Sequence, residues 1–350
     1  MKKGLLRLFC VLFVAAVLAS AGAAYWAWQI LHQPSGPEGE RLIEVRPGTA
    51  ASRILADLEA AGVLPNAVLA RAFLVYGLGD PSLKAGEYRF DEPLTTPQVL
   101  DKLVRGSVVT YPVTLIEGLT FEEVADTLAA NGLGDAETFR LEMQRADRIR
   151  DLDPQATNLE GYLYPDTYHF ARGTTEAEIV ATMVRTFKQR FASEVEPLWR
   201  GRGERTVREI VTLASIVEKE AKFDDERAEI AGVYANRLRI GMALYADPTV
   251  IYALKLLGRW DGNLRRPDLK LDSPYNTYVY PGLPPSPICS PRGASMVAAA
   301  APAQTRNFYF VSRNDGTHVF AEDLREHNRN VTRWQKQYWR ERWAREGRGK

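Results

Sequence analysis

The sequence predicts an α+β protein: an N-terminal transmembrane helix, one or more small α/β modules, then a larger mixed α/β domain. Three observations predict it. One long run lacks charge, a strand–helix pattern repeats at a fixed offset, and short strand-like pieces alternate with amphipathic helices. Composition agrees with a folded chain. Of 350 residues, 45% are hydrophobic and 25% charged, and the net charge is +1. Enough apolar surface exists to offset chain entropy, so disorder is excluded as the dominant state. A net charge near zero argues against a nucleic-acid partner bound by bulk charge. Two cysteines exclude a disulfide scaffold, and four histidines leave little material for a metal site.

The first element is the long run from Leu8 to Trp28, which contains no charged residue. About twenty apolar residues cross a hydrocarbon core of about 30 Å. Lys2, Lys3 and Arg7 precede the run and place the N-terminus in the cytoplasm. Tyr25, Trp26 and Trp28 fall where an outer aromatic belt would sit. A cleaved signal peptide is the rival reading, since Ala21-Gly22-Ala23 resembles a cleavage site. Cys10 lies inside the apolar run and Cys289 beyond it, so the two are not expected to pair. Residues 1–31 are read as cytoplasmic tip and anchor, and residues 32–41 as a Pro/Gly linker. Residues 42–110 are read as a first module, and 111–350 as a larger second domain.

The repeat carries the next elements. Its first copy is Val45-Arg46-Pro47-Gly48-Thr49, then Ile54, Leu58 and Gly62. The second copy, at a constant offset, is Leu115-Ile116-Glu117-Gly118-Leu119-Thr120, then Val124, Leu128 and Gly132. Each copy reads as a strand, a turn and an amphipathic helix closed by Gly. Leu83–Phe90 reads as a strand and Thr96–Arg105 as a helix. Such modules resemble LysM-type modules, which bind glycans rich in N-acetylglucosamine; a spacer without ligand is the plainer alternative. From about Ala136 to Arg200, helices surround the polar-aromatic stretch Glu160-Gly161-Tyr162-Leu163-Tyr164-Pro165-Asp166-Thr167-Tyr168.

Thr206-Val207-Arg208-Glu209 is a capping box, so a helix starts there and runs to about Ala221. At about 100° per residue, Ile210, Ala214, Val217 and Ala221 line one face, Glu218 and Glu220 border it from opposite sides, and Lys219 faces water. A carboxyl group at an apolar edge is partly desolvated, which favours its protonated form. A protonated Glu serves as general acid in glycosidic cleavage. Two rim glutamates that merely solvate a helix would look the same. Asp224-Asp225-Glu226 opens a second helix, which Gly241 ends. Polar-aromatic loops follow: Asp247-Pro248-Thr249-Val250-Ile251-Tyr252, Ser273-Pro274-Tyr275-Asn276-Thr277-Tyr278, and Gly282-Leu283-Pro284-Pro285. Asn307–Val311 and Gly316–Phe320 read as a hairpin, and Glu326-His327-Asn328 begins a terminal helix.

In this order and spacing, these segments resemble the endolytic murein transglycosylase (YceG-like) family over nearly the whole chain. The resemblance implies a single-pass inner-membrane protein with a periplasmic catalytic domain. It implies cleavage of the β-1,4 bond between N-acetylmuramic acid and N-acetylglucosamine in nascent peptidoglycan strands, leaving 1,6-anhydro ends. It places the catalytic carboxyl on Glu218 and gives Glu220 a supporting part. It implies substrate contacts from Glu160, Tyr162, Ser215, Asn236, Arg237, Asp247, Thr249, Tyr275, Asn276, Thr277 and Tyr278. No metal and no cofactor are implied; glycan strands, the inner membrane and peptidoglycan synthases are the implied partners. The chain departs from the family pattern at Tyr245 and Ala246, where polar residues are more usual, at Ser286 in place of Gly, and at Arg292 after Pro291.

Three rivals stand beside this reading: a hydrolase pairing Glu218 with Glu220, Asp224 or Asp247; a non-catalytic glycan-binding scaffold; and a metal hydrolase using His318 and His327, whose spacing matches no compact ligand motif. Regional charge adds detail. Residues 1–31 carry +3, residues 32–332 carry −7, and the aromatic tail 333–350 carries +5. That tail reads as a docked terminal helix or as a surface for anionic lipid or wall polymer.

Overall fold

The computed structural model describes residues 2–199 and 205–345. Met1, residues 200–204, which include Arg200 at the end of the predicted helical region, and the last five residues of the basic tail lie outside the described residues. The fold is mixed α/β, and its chain divides into two compact units, 1–112 with 169–173, and 113–168 with 174–350.

In the first unit, α1 (Lys2–His32) is a single helix whose Arg7–His32 portion is long and apolar enough to cross a membrane. Tyr25, Trp26 and Trp28 stand exposed near its end. Strand β1 (Arg41–Val45), α2 (Ala51–Ala60), α3 (Ala67–Ala72), β2 (Gly86–Phe90) and α4 (Thr96–Arg105) follow. β1 and β2 pair antiparallel, Val45 opposite Gly86. Ile54, Leu55 and Leu58 of α2, Tyr88 and Phe90 of β2, and Val99, Leu100 and Leu103 of α4 fill one core. Between α1 and β1 the chain is pinned rather than loose. Ser35 and Leu94 exchange backbone hydrogen bonds of 2.9 Å, and the Ser35 hydroxyl donates to the Val63 carbonyl.

The chain continues through β3 (Thr110–Thr114), α5 (Phe121–Ala130), α6 (Ala136–Met143), β4 (Thr167–Ala171), α7 (Glu176–Arg190), α8 (Glu196–Trp199) and α9 (Val207–Glu220). Then come α10 (Asp224–Arg239), α11 (Asp247–Leu256), α12 (Gly293–Ala300), β5 (Tyr309–Ser312), β6 (His318–Ala321), α13 (Leu324–Val331) and α14 (Tyr338–Arg345). Helices α2 and α5 are equal in length and keep the offset of the sequence repeat at both ends. β5 and β6 form the predicted hairpin.

The predicted capping box at Thr206 and Glu209 is formed and fixes the start of α9. The sequence predicts one apolar stripe on this helix, but Ile210 through Glu218 are all buried. The reason is α12, Gly-Ala-Ser-Met-Val-Ala-Ala-Ala, whose small side chains let a second helix pack closely on the polar side of α9. Thr212 and Ser215 are thereby enclosed, and Ser215 answers by donating to the Thr212 carbonyl and accepting from the Ile288 N–H. The sequence reads Asp247–Tyr252 as a loop, whereas the structure makes it the first part of α11. Pro248 sits at its second position, where the missing N–H costs nothing.

Candidate active site at the end of α9

Glu218 ends the buried stretch of α9, with its side chain only 2% exposed. A carboxylate so enclosed needs partners. Arg227 of α10, itself 3% exposed, places Nη1 at 3.1 Å from Oε1. The backbone N–H of Arg292, just before α12, donates to Oε2 at 2.9 Å. The Arg292 guanidinium adds a looser contact, Nε at 3.6 Å. Both arginines are anchored elsewhere: Arg227 on Asp224 and the Ser295 hydroxyl, Arg292 on Asp224 and, more distantly, Glu117. Lys219 points outward as predicted, and its Nζ donates to the Gly118 carbonyl at 3.2 Å. Gly118 has φ +78°, and the 118–119 turn exchanges backbone hydrogen bonds with Ser290. A Cβ on Gly118 would meet Lys219 Cδ at 3.4 Å and Glu218 Cγ at 3.9 Å, so this turn lies against the catalytic candidate.

Two other carboxyls are held above the usual carboxylate range. Glu220 lies on the other side of the helix end, takes a hydrogen bond from the Tyr234 hydroxyl at 3.2 Å, and is pushed up to about 7 by burial and by the nearby charge of Asp247. Glu160 is fully enclosed; burial, with Glu123 close by, pushes it up to about 8 despite donation from Tyr252 and the Phe121 N–H. A cavity of about 460 Å³ opens beside it, lined by Glu123, Tyr252, Lys255 and Trp260 among others. A larger cavity, about 1000 Å³, lies instead along the first half of α9, at Arg208, Glu209 and Thr212. Glu218 lies nearly two helical turns beyond Thr212, about 9 Å of helix rise, and does not line it.

The other residues implied by the resemblance fall into two groups. Tyr162, Ser215, Thr249, Asn276 and Thr277 are buried and make internal hydrogen bonds. The Tyr162 hydroxyl donates to Asp153, and Asn276 Nδ2 donates to the Leu269 and Leu271 carbonyls. Arg237 is buried too and donates to the Leu244 and Phe308 carbonyls. Asn236, Asp247, Tyr275 and Tyr278 reach the surface. Tyr278 donates to Asp247 at 2.5 Å, Tyr275 shares a hydrogen bond with Ser286, and Asn236 donates to the Thr305 and Asn307 carbonyls. Arg227 and Ser295 are the participants that sequence reasoning missed. The one available signal was an arginine one turn after Asp224 on α10.

His318 is engaged by Glu226 and His327 stacks on Tyr309, so the two histidines serve separate contacts. Among the described residues, no group of three or more His, Cys, Asp or Glu is placed to hold a metal ion. Cys289 is a buried free thiol against the Ser215 carbonyl.

The profile of the YceG-like family matches residues 43–333. The chain belongs to this family. Among YceG-like relatives, the endolytic murein transglycosylase of Bacillus subtilis is 29% identical over 88% of this chain and 89% of its own length. The endolytic murein transglycosylase of Streptococcus pneumoniae serotype 2 is 27% identical over 93% of this chain, which spans 65% of that longer protein. A crystal structure of a YceG-like protein from Listeria monocytogenes superposes with a TM-score of 0.55 at 33% identity, covering 83% of this chain and 99% of that one.

Proposed function

We propose that this chain is an endolytic peptidoglycan lytic transglycosylase with Glu218 as its catalytic carboxyl. The observation that carries the reading is the shared activity named for relatives that align over most of the chain. Glu218 supports it as a buried carboxyl held by two arginines and a backbone N–H near the end of the buried helix α9. In the proposed reaction, protonated Glu218 donates to the β-1,4 glycosidic oxygen as the bond to N-acetylglucosamine breaks. The resulting carboxylate, the form Arg227 and Arg292 pair with, takes the proton from the muramoyl 6-hydroxyl. That hydroxyl attacks its own anomeric carbon, so no water needs positioning and a 1,6-anhydro end results. Cutting within nascent strands in this way ends their elongation.

The same reading assigns α1 as an inner-membrane anchor with the N-terminus cytoplasmic, and puts the remainder in the periplasm near peptidoglycan synthases. In it, residues 42–110 are a LysM-like glycan-binding module and 111–350 the catalytic domain. Asn236, Asp247, Tyr275 and Tyr278 touch glycan, while Glu160, Tyr162, Ser215, Arg237, Thr249, Asn276 and Thr277 shape the groove from below.

The test is digestion of purified glycan strands by wild type and Glu218→Gln, with product masses read out. Anhydro-muramoyl ends from wild type and none from the variant are expected; wild-type-like turnover by Glu218→Gln would sink the assignment. A second reading, hydrolysis with Glu220 as partner carboxyl, is favoured by the position of Glu220 near 7. It predicts reducing ends in the same assay.

A further inference from the structure

Tyr245 adopts a conformation its own chemistry disfavours. Its φ is +50°, in the left-handed region where an L side chain crowds the backbone. Burial does not compensate, because Tyr245 is 48% exposed. Its neighbours impose the shape. Arg237 Nη1 donates to the Leu244 carbonyl at 2.6 Å, and the Tyr245 N–H donates to the Thr277 carbonyl at 3.2 Å. The Ala246 N–H donates to Thr277 Oγ1 at 3.1 Å, and Thr249 Oγ1 donates to the Ala246 carbonyl at 2.7 Å. Thr249 and Thr277 are buried and lie 2.9 Å apart, oxygen to oxygen. These hydrogen bonds together fix the backbone from Leu244 to Ala246. Strain over-determined in this way is a mark of ligand clamps.

The ring is presented, not stowed. Its centroid lies 5.3 Å from that of Tyr278, the planes at 66°, and the Arg237 guanidinium stands 5.9 Å away. Tyr278 in turn donates to the exposed Asp247. An aromatic face beside a carboxylate suits a pyranose, which offers one C–H face for stacking and a rim of hydroxyls for hydrogen bonds. Helix α11, which begins at Asp247, packs against α9, and the charge of Asp247 reaches Glu220, the last residue of that helix.

We propose that Tyr245 is a stacking platform for one N-acetylhexosamine ring of the glycan, with Asp247 holding a hydroxyl of the same sugar. The proposal deepens the glycan-cleaving reading and rests on it. It makes Tyr245 a specificity-determining residue and gives Thr249 and Thr277 the task of holding it in place.

The experiment uses the full chain in detergent micelles, carrying Glu218→Gln so that nothing is cleaved. The probe is an N-acetylglucosamine tetramer, with binding followed by calorimetry. Tyr245→Asn removes the ring yet tolerates the left-handed backbone. It should weaken binding about tenfold without lowering the thermal midpoint. Tyr245→Phe, which keeps the ring, should recover most of that loss. Affinity within twofold of the parent for Tyr245→Asn, equal weakening by Tyr245→Phe, or no tetramer binding by the parent would each overturn the proposal. Product masses from unsubstituted enzyme judge the lytic reading separately, so the two fail by different measurements.

Discussion

Glu160→Gln should match the wild type in stability near pH 5 and exceed it near pH 9. The Glu160 carboxyl is buried against Phe121 and Tyr252, with Glu123 close by, and is pushed from 4.5 up to about 8. Between those two values the folded protein keeps a proton that the unfolded chain has released. The unfolded state then binds fewer protons, so stability falls as pH rises, beginning above the lower value and ending near the upper one. The loss is on the order of 3–5 kcal/mol. A glutamine has the shape of the neutral acid and does not titrate, so the variant avoids this loss. Urea denaturation of the full chain in micelles, followed by tryptophan fluorescence at one-unit steps from pH 5 to 9, measures it. Subtracting the two curves cancels the titrating groups that do not interact with Glu160, Glu220 among them. Parallel curves, or a gap that widens toward low pH, would refute the reasoning.

Two further outcomes follow from the same structure. Arg227→Met strands the Glu218 carboxylate in a buried setting and should cost about 3–5 kcal/mol. In a Glu218→Gln background it should cost at least ~1.5 kcal/mol less, and additivity within ~0.5 kcal/mol in a urea double-mutant cycle would show the pair to be uncoupled. Gly161→Ala puts a Cβ 2.4 Å from the Pro287 Cβ at φ +86°. The clash and the left-handed backbone together should cost on the order of 3 kcal/mol, or about 6–12 °C in thermal midpoint, and a loss under about 2 °C would contradict that packing.

Local chemistry made much of the fold legible. The matched spacing of α2 and α5 follows from a repeat visible as Val45-Arg46-Pro47-Gly48 and Leu115-Ile116-Glu117-Gly118. The start of α9 follows from Thr206 and Glu209, which satisfy each other's backbone without help from the rest of the chain. Helix α11 was hidden because Asp247-Pro248-Thr249 reads equally as turn chemistry, and its apolar run is short. Full enclosure of α9 was not legible, since it depends on α12, which lies far along the chain beyond α10 and α11. The site divides along the same line. Glu218 and Glu220 can be placed by helical angle, but which arginine meets which carboxyl is a tertiary fact. Tyr245 showed in the sequence only as a departure from a family pattern; its backbone angle and its exposure give it a task.

The short link between α1 and β1 limits how far the rest of the first unit can stand from that helix. Only Gln33 and Pro34 separate the end of α1 from Ser35, which is already bonded to Leu94. Helix α1 is about 46 Å long against a hydrocarbon core of about 30 Å, so part of it extends beyond the core of a bilayer that it crosses. With α1 in a membrane, the first unit is a fixture at the lipid surface and not a weight on a tether. Encounters with glycan then depend on how many copies occupy a given area of membrane.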